Sequence, residues 1–271
     1  MSIGSRLIAK IEAEEPTQRL AVLIDADNAQ AAVIEGILAE IARFGEATVK
    51  RIYGDFTSPS SSSWKKVLNK YAIKPVQQFA YTTGKNATDS TMIIDAMDLL
   101  YTRRFDGFCI ISSDSDFTGL AVRIREEGLT VYGFGEKKTP ESFRNSCHKF
   151  ILTELFRPII ESVVEVITAT SPNKPIEKPI SKAVVDKPSE ASKEFTSDFF
   201  KQAVEQASDD NGWAQLGTFG SYLTKLRPDF DSRSFGHKKL GDFVKARSDV
   251  FQTEERVLAN SDVKVLYLRA L

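Results

Sequence analysis

The chain has 271 residues, 42% of them hydrophobic and 27% charged, an ordinary globular composition with room for one large domain or two modest ones of roughly 100–200 residues. Its 36 Lys+Arg are balanced by 37 Asp+Glu, which excludes nucleic-acid binding driven by net charge and leaves any such contact to local patches. Two cysteines, Cys109 and Cys147, and two scattered histidines, His148 and His237, exclude a disulfide framework, a cysteine zinc site and histidine-based triads, so any chemistry falls to carboxylates.

Residues 1–18 place Ile3, Leu7, Ile8 and Ile11 at helical spacing, which predicts a short amphipathic helix. The segment lacks the apolar core of about seven residues that a secretory leader needs, and no later run reaches the roughly 18 apolar residues of a membrane span. Two lone cysteines suit a reducing compartment. The expectation is a cytoplasmic protein with no membrane partner.

From 19 to 167, strand-like runs alternate with helical ones. LAVLID (20–25), ATVKRIYG (47–54), IKPVQQFAY (73–81), FCIISSD (108–114) and LTVYGFG (129–135) read as five strands. The segments near 29–43, 60–71, 88–102, 117–127 and 140–147 carry apolar residues three and four apart, as in Ile93, Met97 and Leu100. This alternation predicts an α/β domain, a parallel sheet with helices on both faces and a ligand site at the carboxyl ends of the strands. LAVLI and FCII are the most continuously apolar runs, which places them side by side at the centre.

Residues 168–193 hold Pro172, Pro175, Pro179 and Pro188 and no aromatic residue, the composition of an extended linker. Beyond it, 194–271 reads as a small winged-helix domain: FTSDFFKQAVEQAS, LGTFGSYLTKLRP and RSFGHKKLGDFVKARS as helices, then VFQTEE and VKVLYLRAL as a two-stranded ribbon. Such folds recognise nucleic acid or protein through the later helix, which singles out Lys238 and Lys239 with His237, Lys245 and Arg247. Asp229, Asp231 and Asp242 dilute that charge, so a solvated helix face is the competing reading.

Asp25 ends the first strand, and Asp114 and Asp116 follow the fourth, so two sets of carboxylates leave the same edge of the sheet. Asp89 lies in the first turn of the helix in KNATDSTMIIDAMDLL, where the helix dipole stabilises a carboxylate. Asp95 reads either as a lower layer of the site or as a buried partner to a backbone group. Several carboxylates in one pocket either rise in pKa or take up a divalent cation, and all-oxygen ligands point to Mg²⁺ or Mn²⁺. Each Asp also reads singly as a helix cap, Asp116 before FTGLAVRIREE above all. Asn28, Lys85 and Ser112 stand beside the carboxylates as candidate phosphate contacts. Arg103, Arg104, Lys137, Lys138, Arg144 and Lys149 supply candidate backbone contacts, while Trp64 and Tyr81 read as stacking residues or, preferably, as core. The same residues also permit an aspartyl-phosphate phosphatase, with Asp25 as nucleophile and Asp27 as general acid.

LIDADN, GKNATDSTMIIDAMDLLY, IISSDSDF and SFRNSCHKFI together resemble the NYN-type nuclease domain of the PIN-like superfamily over about residues 19–155. The resemblance implies a Rossmann-like, PIN-type sheet. It also implies an acidic pocket for Mg²⁺ or Mn²⁺ at Asp25, Asp89, Asp114 and Asp116, with Asn28, Lys85 and Asp95 at matching motif positions. Ala26 and Ser113 stand where the family often has glycine. Residues 195–271, notably DFDSRSFGHKKLGDFV, are similar to the OST-HTH/LOTUS domain, which implies RNA binding and, in some members, docking of a protein partner.

The reading is a metal-dependent ribonuclease that hydrolyses phosphodiester bonds while its C-terminal domain captures single-stranded or structured RNA. The competing reading is a non-catalytic RNA-binding or regulatory adaptor that keeps a metal in the acidic pocket.

Overall fold

The computed structural model describes residues 17–57, 61–79, 87–157, 195–257 and 264–271. The expected N-terminal helix, the linker, Lys85 and Tyr81 lie outside the described residues. In chain order the first domain contains β1 (Arg19–Asp25), α1 (Ile34–Ile41), β2 (Glu46–Gly54), α2 (Ser62–Lys70), β3 (Lys74–Gln77) and α3 (Ala87–Tyr101). It continues with β4 (Gly107–Ile111), α4 (Thr118–Glu126), β5 (Thr130–Gly135), α5 (Glu141–Ser146) and β6 (Lys149–Leu152).

All six strands are parallel, in the order β3-β2-β1-β4-β5-β6. β1 and β4 are neighbours at the centre, as their unbroken apolar runs require of strands covered on both faces. The two-residue period of a strand divides the core in two. Ala21 and Leu23 of β1 and Phe108 and Ile110 of β4 face α3, α4 and α5. Leu20, Val22 and Ile24, with Cys109 and Ile111, face α1 and α2, where Trp64 is buried in the same cluster. Trp64 is therefore core.

The sheet has six strands rather than the five legible in the sequence. β6 is four residues long and follows a helix of six, both too short to show a period of their own; pairing with β5 sets its register. The third strand ends at Gln77, short of the expected span.

The second domain packs α6 (Ser197–Ala207), α7 (Leu216–Leu226) and α8 (Leu240–Ala246) against an antiparallel sheet of β7 (Ala214–Gln215), β8 (Phe251–Val257) and β9 (Lys264–Ala270), ordered β7-β9-β8. Thr196 caps α6, its hydroxyl accepting from the Phe199 amide at 3.2 Å. The core is phenylalanine-rich, with Phe200, Phe219, Phe243 and Phe251 almost wholly buried. The single helix expected over 233–248 is broken: a 3₁₀ turn at Ser232–Phe235 ends at Gly236, whose φ of 81° is left-handed, and α8 begins at Leu240. Among the described residues no helix is long and apolar enough to cross a membrane.

Among the described residues, the contacts that join the domains include three polar ones. The Phe150 amide of β6 donates to the Pro228 carbonyl at 2.9 Å. Arg144 of α5 pairs with Asp229 at 2.9 Å, both side chains buried. Arg233 makes a two-pronged pair with Glu40 of α1 at 2.9 and 3.0 Å.

Gly135 closes β5 where it meets the loop after β4. A methyl group there would lie 2.6 Å from the Ser112 carbonyl oxygen and 2.6 Å from Thr139 Oγ1, and the backbone oxygen cannot swing away cheaply. Gly135→Ala is expected to cost about 1–3 kcal/mol, read as a lower denaturation midpoint; an unchanged midpoint would mean that the loop after β4 yields freely.

Candidate metal centre

Because β1 and β4 run side by side, Ile24 pairs with Ile111 and the next residues of both chains emerge together. Asp25 is fully buried between them. Its Oδ2 accepts from Ser112 Oγ at 2.7 Å and Asn28 Nδ2 at 2.8 Å, and its Oδ1 accepts from the Asp27 amide at 3.0 Å. Burial pushes its pKa up, while these three donors pull it back. Asn28 and Ser112, expected at the phosphate, hold this carboxylate, and Asp25 in turn ties the β1 loop to the β4 loop.

The β4 loop is built outward from that tie. Ser112 Oγ accepts from the Asp114 amide at 3.0 Å, and Asp114 Oδ1 accepts from the Asp116 amide at 2.9 Å. Asp114, not Asp116, is the cap of the 3₁₀ turn Ser115–Phe117 that leads into α4. Ser113 Oγ accepts from the Glu136 amide at 2.9 Å, which fixes the loop to the end of β5.

α3 brings the third component. Asp89 stands in its first turn, and the helix is anchored farther along by Asp95, which binds Arg51 and the Tyr53 hydroxyl of β2. Asp95 is thus a partner to side chains rather than to a backbone group. One carboxylate oxygen each from Asp89, Asp114 and Asp116 lies within 4.8 Å of the others. Burial, then the negative charges of Asp25, Asp114, Asp116 and Asp27, raise the Asp89 pKa to about 6. The donor set is entirely carboxylate oxygen, which fits a hard divalent cation and not a soft one.

Asp25 lies behind this group, with both oxygens already accepting hydrogen bonds. Buried and held by three donors, Asp25 has the surroundings of a bracing carboxylate rather than those of an exposed nucleophile. Arg144 is buried with Asp229 in the domain junction, and Lys149 lines the same junction. Lys138 pairs with Glu136 at 2.9 Å, while Arg103 and Arg104 are exposed. In the second domain Lys245 pairs with Glu255 at 2.8 Å and Arg247 with Asp249 at 2.9 Å, whereas Lys238 and Lys239 line the interdomain cleft. Glu40, Asp229 and Arg233, which hold the junction, carry no local signal in the sequence.

Asp89 and Asp25 bind protons more readily folded than unfolded, so the stability these two carboxyls contribute to the metal-free protein is lost as pH rises from the ordinary aspartate range through about 6. Relative to Asp89→Asn, metal-free wild type is expected to lose melting temperature between about pH 5 and about pH 7.5, a comparison in which the opposite contribution of His148, whose pKa burial lowers, cancels; Mn²⁺ should recover the difference at the higher pH. Solvent screening at the partly exposed Asp89 keeps the gap small. The same pH dependence in wild type and Asp89→Asn, with no effect of Mn²⁺ on either, would contradict mutual repulsion in the triad.

Residues 19–155, just over half of the chain, match the NYN domain, and residues 190–261 match the OST-HTH/LOTUS domain. The chain is similar to an uncharacterized protein from Nitrosomonas europaea, known from a solution NMR structure: 49% identity over 38% of this chain and 90% of that one, TM-score 0.27. It is also similar to a protein of unknown function from Vibrio parahaemolyticus with a crystal structure: 16% identity over 52% of this chain and 95% of that one, TM-score 0.44. No curated protein matches. The parallel sheet, the acidic aspartate cluster at its carboxyl edge and the two domain matches agree: the chain belongs to the NYN family of the PIN-like nuclease superfamily, with an OST-HTH/LOTUS RNA-binding domain after its nuclease-like domain.

Proposed function

We propose that the protein is a metal-dependent ribonuclease in which Asp89, Asp114 and Asp116 hold Mg²⁺ or Mn²⁺ and the OST-HTH/LOTUS domain captures RNA. The observation that carries this reading is the convergence of three carboxylate oxygens within 4.8 Å at the edge of a parallel sheet where ligands bind. When bound, a hard divalent cation lowers the pKa of its water and offsets charge on the leaving oxygen of a phosphodiester.

The chain's own residues prepare that chemistry. Asp114 is oriented by the Asp116 amide and, through Ser112, by the tie to Asp25, and Asp89 by the anchored α3. Asp25 adds negative charge from behind, which deepens the field that a cation neutralises. Lys85, four residues before Asp89 in the motif, is assigned a phosphate oxygen. The two buried free thiols support a reducing, cytoplasmic setting.

The test is cleavage of a labelled mixed-sequence single-stranded RNA with Mn²⁺, with Mg²⁺ and with EDTA. Products with a metal and none in EDTA are the expected result. Retained RNA binding without cleavage in any arm would replace this reading with the adaptor.

A further inference from the structure

The domain junction holds a cleft of about 420 Å³ away from the carboxylate triad. Its wall comes from both domains: Arg43 and Lys149 from the first, Arg233, Lys238 and Lys239 from the second, with Asp231 as the only acidic lining residue among the described ones. Two of these cations are already matched. Arg233 pairs with Asp231 at 2.7 Å and with Glu40 at 2.9 Å, and Arg43 pairs with Glu40 at 3.0 Å. The ammonium groups of Lys149, Lys238 and Lys239 have no hydrogen-bond or ion-pair partner among the described residues.

Lys149 is the most confined of the three, its Nζ 5.2 Å from the centre of the Phe44 ring. Burial pushes its pKa below the ordinary lysine range; Asp231 and Glu40 oppose this, and Arg233 and Arg43 reinforce it. A cation so placed is stabilised by an incoming anion. Three ammonium groups act as point charges without the planar fork of a dedicated small-anion clamp, a donor set suited to backbone contact without sequence readout.

We propose that this cleft is a phosphate site for the RNA backbone, with Lys149, Lys238 and Lys239 as its ligands, complete only while the two domains are docked. The proposal rests on the reading of the protein as RNA-acting and assigns the strand a path. Lys149 opens β6, in register with Tyr132 of β5 and so with Cys109 midway along β4, whereas the triad lies at the carboxyl edge. A four-residue strand spans roughly 13 Å, so an RNA that reaches both gains contacts that a single nucleotide lacks.

The test is titration of a labelled single-stranded RNA with the full chain in EDTA over a range of salt, comparing wild type, Lys149→Gln and the double variant Lys238→Gln/Lys239→Gln. Each lost backbone contact should lower the slope of log affinity against log salt by about 0.7 and weaken low-salt binding several-fold. Lys74→Gln, an exposed lysine on the far edge strand, should change neither. Wild-type slope and affinity in both cleft variants would overturn the proposal. So would equal displacement of RNA by inorganic phosphate at matched phosphate concentration, which would assign the cleft to a free anion. EDTA separates this result from catalysis: failure to cut RNA leaves the cleft standing, and unchanged binding by the cleft variants of a cutting enzyme removes the cleft alone.

Discussion

Asp114→Asn is expected to lower Mn²⁺-supported RNA cleavage by about 10²–10⁴-fold, the loss of several kcal/mol of metal-assisted stabilisation, while RNA affinity in EDTA stays near wild type. Asp114 is the informative position because its two duties separate. As a cap it accepts from the Asp116 amide at 2.9 Å, and an asparagine carbonyl oxygen does the same. As a member of the triad it supplies a negative charge, which asparagine does not. The fold should therefore survive, and a metal-free melting temperature no lower than that of wild type, since one of the repelling charges is gone, would verify it. Unchanged cleavage would remove Asp114 from the mechanism, and parallel loss of cleavage and melting temperature would mark its role as structural.

Asp229→Asn is expected to separate the two domains. Asp229 faces the buried Arg144 at 2.9 Å and also accepts from Arg227 at 3.0 and 3.1 Å. Removing the carboxylate charge takes from this buried guanidinium the ion pair it makes at 2.9 Å, at up to about 3–5 kcal/mol. A folded interior has no escape from that cost, but this junction does: undocking returns Arg144 to water, so the penalty is capped by the free energy of docking. The expected observation is a larger radius of gyration in solution scattering with both domains still folded by circular dichroism. Replacing both partners with apolar residues, Arg144→Leu with Asp229→Leu, should restore the compact form, because the buried guanidinium is then gone and Arg227, part-exposed, keeps its access to water. A radius of gyration equal to wild type in Asp229→Asn would show that Phe150, Pro228 and the Arg233–Glu40 pair suffice.

What was legible in the sequence followed from patterns that span many residues. The alternation of apolar runs yields a parallel sheet with helices on both faces, and the continuous hydrophobicity of LAVLI and FCII puts β1 beside β4. That adjacency alone carries Asp25 and Asp114 to one edge. Within the edge, composition cannot separate a carboxylate that faces solvent from one that braces loops. Asp25 and Asp114 both follow apolar strands, yet one has both oxygens engaged by Ser112, Asn28 and the Asp27 amide while the other joins the triad. Arg144 and Asp229 are 85 residues apart, and no local period announces their meeting. β6 was missed because four residues offer two positions per face, too few to display alternation.

The Phe150–Pro228 hydrogen bond has a bearing on colloidal behaviour. An outermost strand presents a row of open amides and carbonyls to any passing chain, and proteins blunt such rows to avoid stacking into aggregates. On one flank of this sheet the blunting is chemical: β3 carries Pro75, which has no amide hydrogen to offer. On the other flank it is steric, since the second domain occupies the open side of β6 and takes up the Phe150 amide. The second domain thus also covers the terminal edge of the sheet at Phe150, where a strand of another copy would otherwise find an open amide.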